Sequence, residues 1–370
     1  AILDGPEYLN FMNFEAAGSA VTYDSNSFAP DSASTATSIS TGYKTYSGSI
    51  NVDETGTIEY GTSAEQLRAQ KGWEIGVITS VNLNHATPAA FYAHQASRSS
   101  YYEIGLELVE SGFDYFAGGG LLKPTGSSGD QTDLYELAQE AGYTVAKTHA
   151  EADAIGTNTE KAIIIDEDLA DSDAMAYELD RTDDMWALAD YVAKGIEVLD
   201  NDTGFFMMCE GGKIDWACHA NDAAASIHDT QALADAVQVA IDFAKEHADE
   251  TLILVTGDHE TGGLTIGFAG TDYDTYLDLL ENQKISFAKY DSDYVASYKA
   301  NKTPFETVLA DIEKLFGLKA QGEEGDKLVL TAYEMEQLRA AYEKSINGTA
   351  SSQYDQAEYV LYGTHEPLSV

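Results

Sequence analysis

Short runs of apolar, mostly β-branched residues alternate along this chain with stretches of helical periodicity. Since none of the runs alternates apolar with polar residues, they are typical of strands buried on both faces of a parallel sheet. The clearest runs lie at residues 74–80, 162–165, 205–209 and 251–256. The helical patterns between them lie at residues 63–70, 101–111, 133–141, 186–199 and 222–247. The alternation predicts an α/β protein, a three-layer α/β/α sandwich with a mostly parallel central sheet.

The composition changes after about Tyr273. Up to Tyr354, Lys, Tyr and Glu become more frequent, and large apolar residues recur at helical spacing, as at Val308 and Ile312. We interpret this stretch as a helical insertion. The chain then divides into a catalytic α/β/α domain over residues 1–270, a mostly helical subdomain over 271–354, and a return toward the first domain over 355–370.

The charge of the chain limits its partners. It has 63 Asp and Glu against 20 Lys and Arg, a formal net charge of −43. The sequence contains no stripe of basic residues that could neutralise phosphates. This argues against a nucleic-acid-binding surface and against adhesion to an anionic membrane. Hydrophobic residues make up 44% of the chain, enough for a core. We find no apolar run long enough to span a membrane and expect no signal peptide in this chain.

The densest group of chemically useful residues is FFMMCEGGKIDWACH, at residues 205–219. A buried run ends at Glu210, two glycines turn the chain, and Asp215 and His219 follow four residues apart. On a helix such a pair shares one face and can present two ligands to a divalent cation. An isolated pair of this kind is more often a cap beside a surface histidine.

A second group favours the metal interpretation. The run at 251–256 leads through Gly257 into Asp258 and His259. Because the carboxyl ends of parallel strands meet at one edge of a sheet, we expect these residues to lie near Glu210, Asp215 and His219.

A third group, residues 80–98, begins where the run at 74–80 ends. Its His85 and Thr87 lie near the strand exit, and a threonine hydroxyl is a hard oxygen ligand suited to Mg²⁺. Arg98 could direct two donors onto a phosphate or carboxylate, or could be a solvated helix residue.

A fourth group, PDSASTATSISTGYK at residues 30–44, predicts a helix that begins just after Asp31 and Ser32. A helix N-terminus favours bound phosphate, but the simpler interpretation makes Ser32 an N-cap. The sequence has no Gly-x-Ser-x-Gly elbow, so a nucleophilic Ser32 would need a metal to lower its pKa.

These four groups resemble, in order and spacing, motifs of the alkaline phosphatases. The resemblance runs from about Leu9 to Gly263 and rests on residues 30–53, 85–98, 205–224 and 255–263. It implies a phosphate monoester hydrolase of bacterial type that works through a phosphoserine, with two Zn²⁺ and one Mg²⁺. It further implies a homodimer that acts on small phosphate monoesters in the periplasm or outside the cell.

The resemblance also assigns roles by position. Ser32 matches the nucleophile, and Arg98 the arginine that holds the phosphate oxygens. His85 and Trp216 match two variable positions that tune the third metal site and the surroundings of the phosphate. The ligand positions are Asp215 and His219 for the first zinc, Asp258 and His259 for the second, and Thr87 and Glu210 for the third metal.

Two expected ligands depart from the family pattern. An upstream Gly-Asp-Gly-Met-Gly segment, whose aspartate bridges two metals in the family, has no counterpart before Ser32. His365, in YGTHEPLSV, lies in the right order to complete the first zinc site but lacks the Thr-Gly that should follow it. We expect a chain that lacks parts of the family's sequence at both ends.

Three alternatives stay open on the sequence. Other hydrolases of the same superfamily share the sheet, although a sulfatase would need Pro and Arg after the nucleophile, and Ser32 is followed by Ala-Ser-Thr-Ala. The chain could instead be a non-catalytic acidic protein that binds divalent cations. A metal-free serine hydrolase is the third alternative, and its activity should survive chelation.

The net charge generates a first prediction. A phosphate dianion is repelled at long range by a chain of charge −43, and salt screens that repulsion beyond about 10 Å at 0.1 M. We expect phosphate ester hydrolysis at low substrate concentration to rise between very low and moderate ionic strength. A monotonic fall of the rate with added salt would contradict this explanation.

Overall fold

The computed structural model describes residues 8–264 and 275–347. Within these ranges, five strands form one sheet in the order β3-β4-β2-β1-β5. Every neighbouring pair of strands is parallel, which confirms the predicted architecture. The strands are β1 Glu74–Thr79, β2 Tyr115–Gly118, β3 Thr144–Ala146, β4 Ala162–Ile165 and β5 Phe205–Glu210.

Helices cover both faces of this sheet. Side chains of β1 alternate between two cores: Ile75 and Val77 pack in one cluster with Ile104, and Ile78 packs in the other with Leu199. Burial on both faces explains why the strand sequences show no apolar–polar alternation. The helices described in this part of the chain are α1 Ser32–Thr41, α2 Ser63–Lys71, α3 Ala86–Ala89, α4 Tyr101–Ser111, α5 Leu134–Glu140, α6 His149–Asp153, α7 Leu188–Leu199, α8 Lys213–His219 and α9 Ala223–Glu246.

Local signals fix the ends of these helices. At the start of α2, the Thr62 hydroxyl accepts a hydrogen bond from the Glu65 N–H, and the Glu65 carboxylate accepts one from the Thr62 N–H. This reciprocal cap satisfies two donors that the helix leaves free. Gly72 ends α2 in the left-handed conformation. The helical periodicities therefore predicted real helices, with ends that differ by one or two residues.

Two strands carry no sequence prediction. β3 has three residues, too few for a periodic signal, and β2 (YFAG) runs directly into further glycines, which are typical of loops. Gly118 belongs to the strand: its φ is +115°, and a Cβ there would lie 1.8 Å from the carbonyl oxygen of Thr79. The glycine thus allows β2 to approach β1 closely.

The predicted strand at residues 251–256 is wrong. The structure describes these residues, and they join no strand of the sheet. Leu252 and Leu254 are each 80% exposed. The composition of these residues favours a strand. A strand also needs a neighbouring strand for its backbone hydrogen bonds and packing over its apolar side chains, and composition provides neither.

The described part of the insertion is helical. Its elements are a 3-10 helix at Leu277–Asn282, α10 Phe287–Lys289, a π-helix at Tyr290–Val295, α11 Ala296–Asn301, α12 Phe305–Phe316 and α13 Ala332–Asn347. They enclose a separate core that includes Tyr290, Val308 and Ile312. The predicted domain limits, including the return at residues 355–370, stay predictions.

Hydrogen bonds tie this insertion to the sandwich. The N–H and hydroxyl of Ser286 donate to the two carboxylate oxygens of Asp180, at 2.8 and 2.5 Å. The Phe287 N–H donates to Asp222, the N-cap of α9, at 2.9 Å. In the described residues, no helix is both long and apolar enough to cross a membrane.

His94 generates a prediction about stability. Burial alone would lower its pKa, but hydrogen bonds and charge from Glu107 and Glu65 outweigh burial and raise the pKa to about 10. Its ring nitrogens lie 3.6 Å from each carboxylate. Because the folded-state pKa lies above the unfolded value near 6.5, this stabilisation is complete below pH 6.5 and vanishes as pH rises through 10.

We therefore expect His94→Gln to lower the free energy of unfolding at pH 6 by on the order of 1–2 kcal/mol. At pH 10 the variant and the wild type should differ much less. Urea unfolding of both proteins at the two pH values measures this. A difference that stays constant with pH would show that His94 acts by packing alone.

Candidate active site

The parallel register of β1 and β5 places two polar residues side by side at the carboxyl edge of the sheet. Thr79 ends β1 and Glu210 ends β5, and the two residues are register partners. The Thr79 hydroxyl donates to the Glu210 carboxylate at 2.5 Å. Three residues after Glu210 the chain enters α8, so this strand end also determines where α8 begins.

Helix α8 carries Asp215 and His219 one turn apart, as the sequence predicts. His219 Nε2 lies 3.5 Å from Asp215 Oδ1. The His219 side chain is 71% exposed, whereas three quarters of the Asp215 side chain is covered. The Thr261 hydroxyl donates to the same Asp215 oxygen at 2.5 Å.

Ser32 is the first residue of α1 rather than its cap. The cap is Asp31, whose carboxylate accepts from the Ser34 N–H at 3.2 Å, so the interpretation of Ser32 as an N-cap is wrong. Ser32 is 6% exposed, and its hydroxyl oxygen lies 3.0 Å from His259 Nε2. A hydroxyl at a helix N-terminus is well placed to meet a phosphate, which the backbone N–H groups there favour.

The ring of His259 is oriented by the loop that carries it. Its Nδ1 donates to the carbonyl of Glu260 at 3.1 Å, which leaves Nε2 with a lone pair directed toward Ser32. This is the arrangement in which proteins hold a metal-binding histidine. Asp258 lies on the same side, with its carboxylate 3.6 Å from Nε2, and also accepts from the Thr35 hydroxyl at 3.2 Å.

Arg98 lies between the cap of α1 and His85. One guanidinium nitrogen donates to Asp31 at 2.8 Å and another to His85 Nε2 at 3.0 Å. Burial, and then the charge of Arg98, lowers the pKa of His85 to about 3, so the imidazole is neutral and accepts. The rings of His85 and Trp216 meet edge to face, with centroids 5.9 Å apart. The structure thus brings together the two positions that the resemblance associates.

Negative charge accumulates around Glu210. Burial and, to a smaller extent, the charges of Asp258 and Asp215 raise the pKa of its carboxyl to about 7, although hydrogen bonds from Thr79 and Thr87 oppose the rise. In the described ranges, no lysine or arginine pairs with these three carboxylates. Acidic groups collected without a basic partner fit a site for divalent cations.

The candidate ligands occur as pairs. Among residues 8–264 and 275–347, no three His, Cys, Asp or Glu side chains lie close enough to hold one ion. A carboxylate and an imidazole together suit zinc, and two pairs have this combination: Asp215 with His219, and Asp258 with His259. Carboxylate with hydroxyl suits magnesium, and this describes Glu210 with Thr87. His365, the predicted completing ligand, lies outside the described residues.

Four residues of the site escaped sequence analysis. Asp31 pairs with Arg98, Thr79 and Thr261 donate to carboxylates, and Lys213, the first residue of α8, pairs with Asp171. The threonines give no local signal, because their contacts depend on strand register and loop conformation. Asp31 could have been found, since an acidic residue directly before a helix is a common cap.

Lys213 is the first residue of α8. Its side chain is fully buried, donates to Asp171 at 2.6 Å, and places Nζ 3.7 Å from the centroid of the Tyr177 ring and 4.9 Å from that of Trp216. Asp229 is buried nearby, and its charge acts on the same ammonium group. The ammonium group is therefore the internal counterion that fixes the first turn of α8.

The fold and this edge define an α/β/α sandwich whose polar residues converge beyond the carboxyl ends of parallel strands. The family model described as Alkaline phosphatase matches residues 3–315. The chain therefore belongs to the alkaline phosphatase family.

Curated relatives agree with this assignment. Alkaline phosphatase 4 of Bacillus subtilis (strain 168) is 32% identical over 301 residues, which cover 80% of this chain and 61% of the relative. Alkaline phosphatase 3 of the same organism is 32% identical over 320 residues, covering 84% and 63%. The chain spans about three fifths of the length of these relatives.

Solved structures show the same fold. A cold-active alkaline phosphatase from a psychrophilic Shewanella sp. gives a TM-score of 0.76 at 27% identity, over 94% of this chain and 77% of that one. The alkaline phosphatase of the Antarctic bacterium TAB5 gives 0.63 at 34% identity, over 70% and 73%. A variant of the TAB5 enzyme, with glutamate in place of a histidine, was solved with Mg bound in a site designated M3.

Replacing Lys213 tests its structural role. Lys213→Met keeps most of the side-chain volume but leaves Asp171 and Asp229 without their buried counterion, so we expect the free energy of unfolding to fall by on the order of 3 kcal/mol. Lys245→Met is the matched control, because Lys245 pairs with Asp242 on the surface and should contribute less than about 1 kcal/mol. Equal losses in urea unfolding would contradict the assignment of Lys213 as an internal counterion.

Proposed function

We propose that this chain hydrolyses phosphate monoesters through a phosphoserine at Ser32, assisted by two Zn²⁺ and one Mg²⁺. Family membership supports phosphatase chemistry. The observation that carries the proposal is the buried Ser32 hydroxyl at the start of α1, 3.0 Å from the acceptor nitrogen of His259. Because the chain spans only part of its relatives, its activity is a proposal rather than a property taken from them.

The residues present fit the ions in their donor chemistry. Asp215 and His219 would hold the first zinc, Asp258 and His259 the second, and Glu210 with Thr87 the magnesium. The TAB5 variant with bound Mg supports a magnesium site in the family. When bound, such ions act as Lewis acids that favour the ionised nucleophile and stabilise charge on the leaving oxygen.

The protein residues supply nucleophile and orientation. Ser32 Oγ attacks phosphorus, forming the Oγ–P bond while the P–O bond to the alcohol breaks. Arg98, held by Asp31 and His85, presents guanidinium N–H groups to the phosphoryl oxygens, and the backbone N–H groups at the start of α1 add to this field. Water then attacks the phosphoserine, releases phosphate and restores the Ser32 hydroxyl.

The geometry weighs against a metal-free serine hydrolase. In a Ser-His-Asp triad the aspartate accepts from the imidazole nitrogen opposite the serine. Here Ser32 and Asp258 both face Nε2 of His259, while Nδ1 faces the Glu260 carbonyl. Among the residues that the structure describes, no carboxylate therefore lies where a triad needs one.

The roles proposed for Ser32, Arg98 and the metal ions all concern the phosphoryl group and not the alcohol, so the proposal includes broad specificity for small phosphate monoesters. It also includes a homodimer and a periplasmic or extracellular location, which the sequence resemblance implies. Sedimentation of the purified chain would test the oligomeric state.

Removing the nucleophile and the metals tests the function. With Zn²⁺ and Mg²⁺ present, the full chain should hydrolyse a chromogenic phosphate monoester. We expect Ser32→Ala to lower kcat at least about a thousand-fold, since the covalent route is lost. EDTA should abolish turnover, and added Zn²⁺ and Mg²⁺ should restore it.

Ser38→Ala is the matched control. Ser38 lies on the same helix, and within the described part of the chain its hydroxyl bonds only the Ser34 carbonyl, at 3.0 Å. We expect this variant to keep its activity. Turnover that survives in Ser32→Ala or in EDTA would contradict the proposal, whereas metal uptake without any turnover would favour the non-catalytic cation-binding protein.

A further inference from the structure

Two of the carboxylates assigned to metal binding each accept a short hydrogen bond from a threonine hydroxyl. Thr79 donates to Glu210 Oε2, and Thr261 donates to Asp215 Oδ1, each at 2.5 Å. The two threonines lie 182 residues apart on unrelated elements, the end of a central strand and a loop. The same chemistry at two carboxylates of one site therefore needs an explanation beyond local folding.

Thr79 has its hydroxyl direction fixed by the backbone. Its oxygen accepts from the Val81 N–H at 3.1 Å, and the residue is completely buried. With its oxygen occupied by that donor, the single hydroxyl hydrogen is directed at Glu210. The register of β1 with β5 holds both residues in place, so the contact is as rigid as the sheet itself.

Thr261 connects two pairs of candidate ligands. Besides donating to Asp215, its oxygen lies 3.4 Å from Nδ1 of His259. A displacement of this hydroxyl would therefore disturb a carboxylate of one pair and the imidazole of the other.

Thr35 provides an internal contrast. Its hydroxyl lies 3.2 Å from Asp258, but also 3.0 Å from the carbonyl of Asp31, four residues earlier in the chain. Its one hydrogen is thus shared with the helix backbone, as is usual for threonine in helices. The hydrogen bond from Thr35 to Asp258 is therefore weaker, and Thr35 is not included among the residues that orient a carboxylate.

We propose that Thr79 and Thr261 are positioning residues, each of which donates to one oxygen of a metal-binding carboxylate and so fixes the orientation of that carboxylate for the ion. The inference rests on the proposed function, because it uses the ligand assignments made there. A neutral donor suits this role, because a lysine or arginine would orient the carboxylate equally well but would neutralise it and compete with the cation. Partners of this kind determine metal affinity although they never touch the metal.

The two threonines should act on different ions. Thr79→Val keeps the shape of the side chain and removes the hydroxyl, so Mg²⁺ affinity should fall about 10–100-fold with little change for Zn²⁺. Thr261→Val should weaken Zn²⁺ by a similar factor and leave Mg²⁺ nearly unchanged. Calorimetric titration of the metal-depleted full chain with each ion measures both affinities directly, without relying on turnover.

Three control variants separate positioning from packing. Thr79→Ser and Thr261→Ser restore the hydroxyl and should recover most of the affinity. Thr230→Val removes a hydroxyl whose one hydrogen bond among the described residues is to the Ser226 carbonyl within α9, at 2.7 Å, and should leave both affinities intact. A loss that the serine variants fail to rescue, or that affects both ions equally, would overturn the inference.

The outcomes also distinguish the inference from the proposed function. If the wild type binds both ions and hydrolyses the ester while the valine variants bind normally, the positioning role is wrong and the function stands. If binding shows the predicted split but no ester is hydrolysed, the function is wrong and the positioning role stands. A wild type that takes up neither ion contradicts both.

Discussion

The parallel register between β1 and β5 is the constraint on which the rest of the site depends. Parallel strands end at the same edge, and this register makes Thr79 and Glu210 neighbours before any loop is considered. The same strand end determines where α8 starts and therefore where Asp215 lies. A one-residue slip would turn Glu210 to the opposite face of the sheet and separate it from Thr79. The packing of the apolar strands thus fixes the relative positions of the polar side chains at this site.

Sequence patterns predicted the parts of this fold whose signals are local. Burial on both faces leaves a continuous apolar run, which identified β1, β4 and β5. The same criterion failed at residues 251–256, because pairing depends on a neighbouring strand and not on composition. It also missed β2, whose last residue is a glycine that permits close approach to Thr79.

In the candidate site, too, the sequence predicted the features with local signals and missed those that depend on distant contacts. The spacing of Asp215 and His219 predicted a shared helical face because both residues lie on one element. The contacts of Thr79, Thr261 and Asp31 join residues 46 to 131 positions apart in the chain, so no sequence window contains both partners. Such contacts become visible only when the fold has placed its elements. The sequence therefore predicted the candidate ligands, and the structure added the groups that orient them.

The positions of the basic residues determine which acidic groups of this strongly negative chain are paired and which are not. Lys213, the buried first residue of α8, pairs with Asp171, and Arg98 pairs with Asp31, so these two cations contact acidic groups outside the proposed ligand set. Within the described residues, Glu210, Asp215 and Asp258 meet hydroxyls and imidazoles instead. Neutral donors can orient these carboxylates without supplying a fixed positive charge of their own. An acidic site without a basic partner among the described residues is consistent with the proposal that divalent metal ions are its counterions.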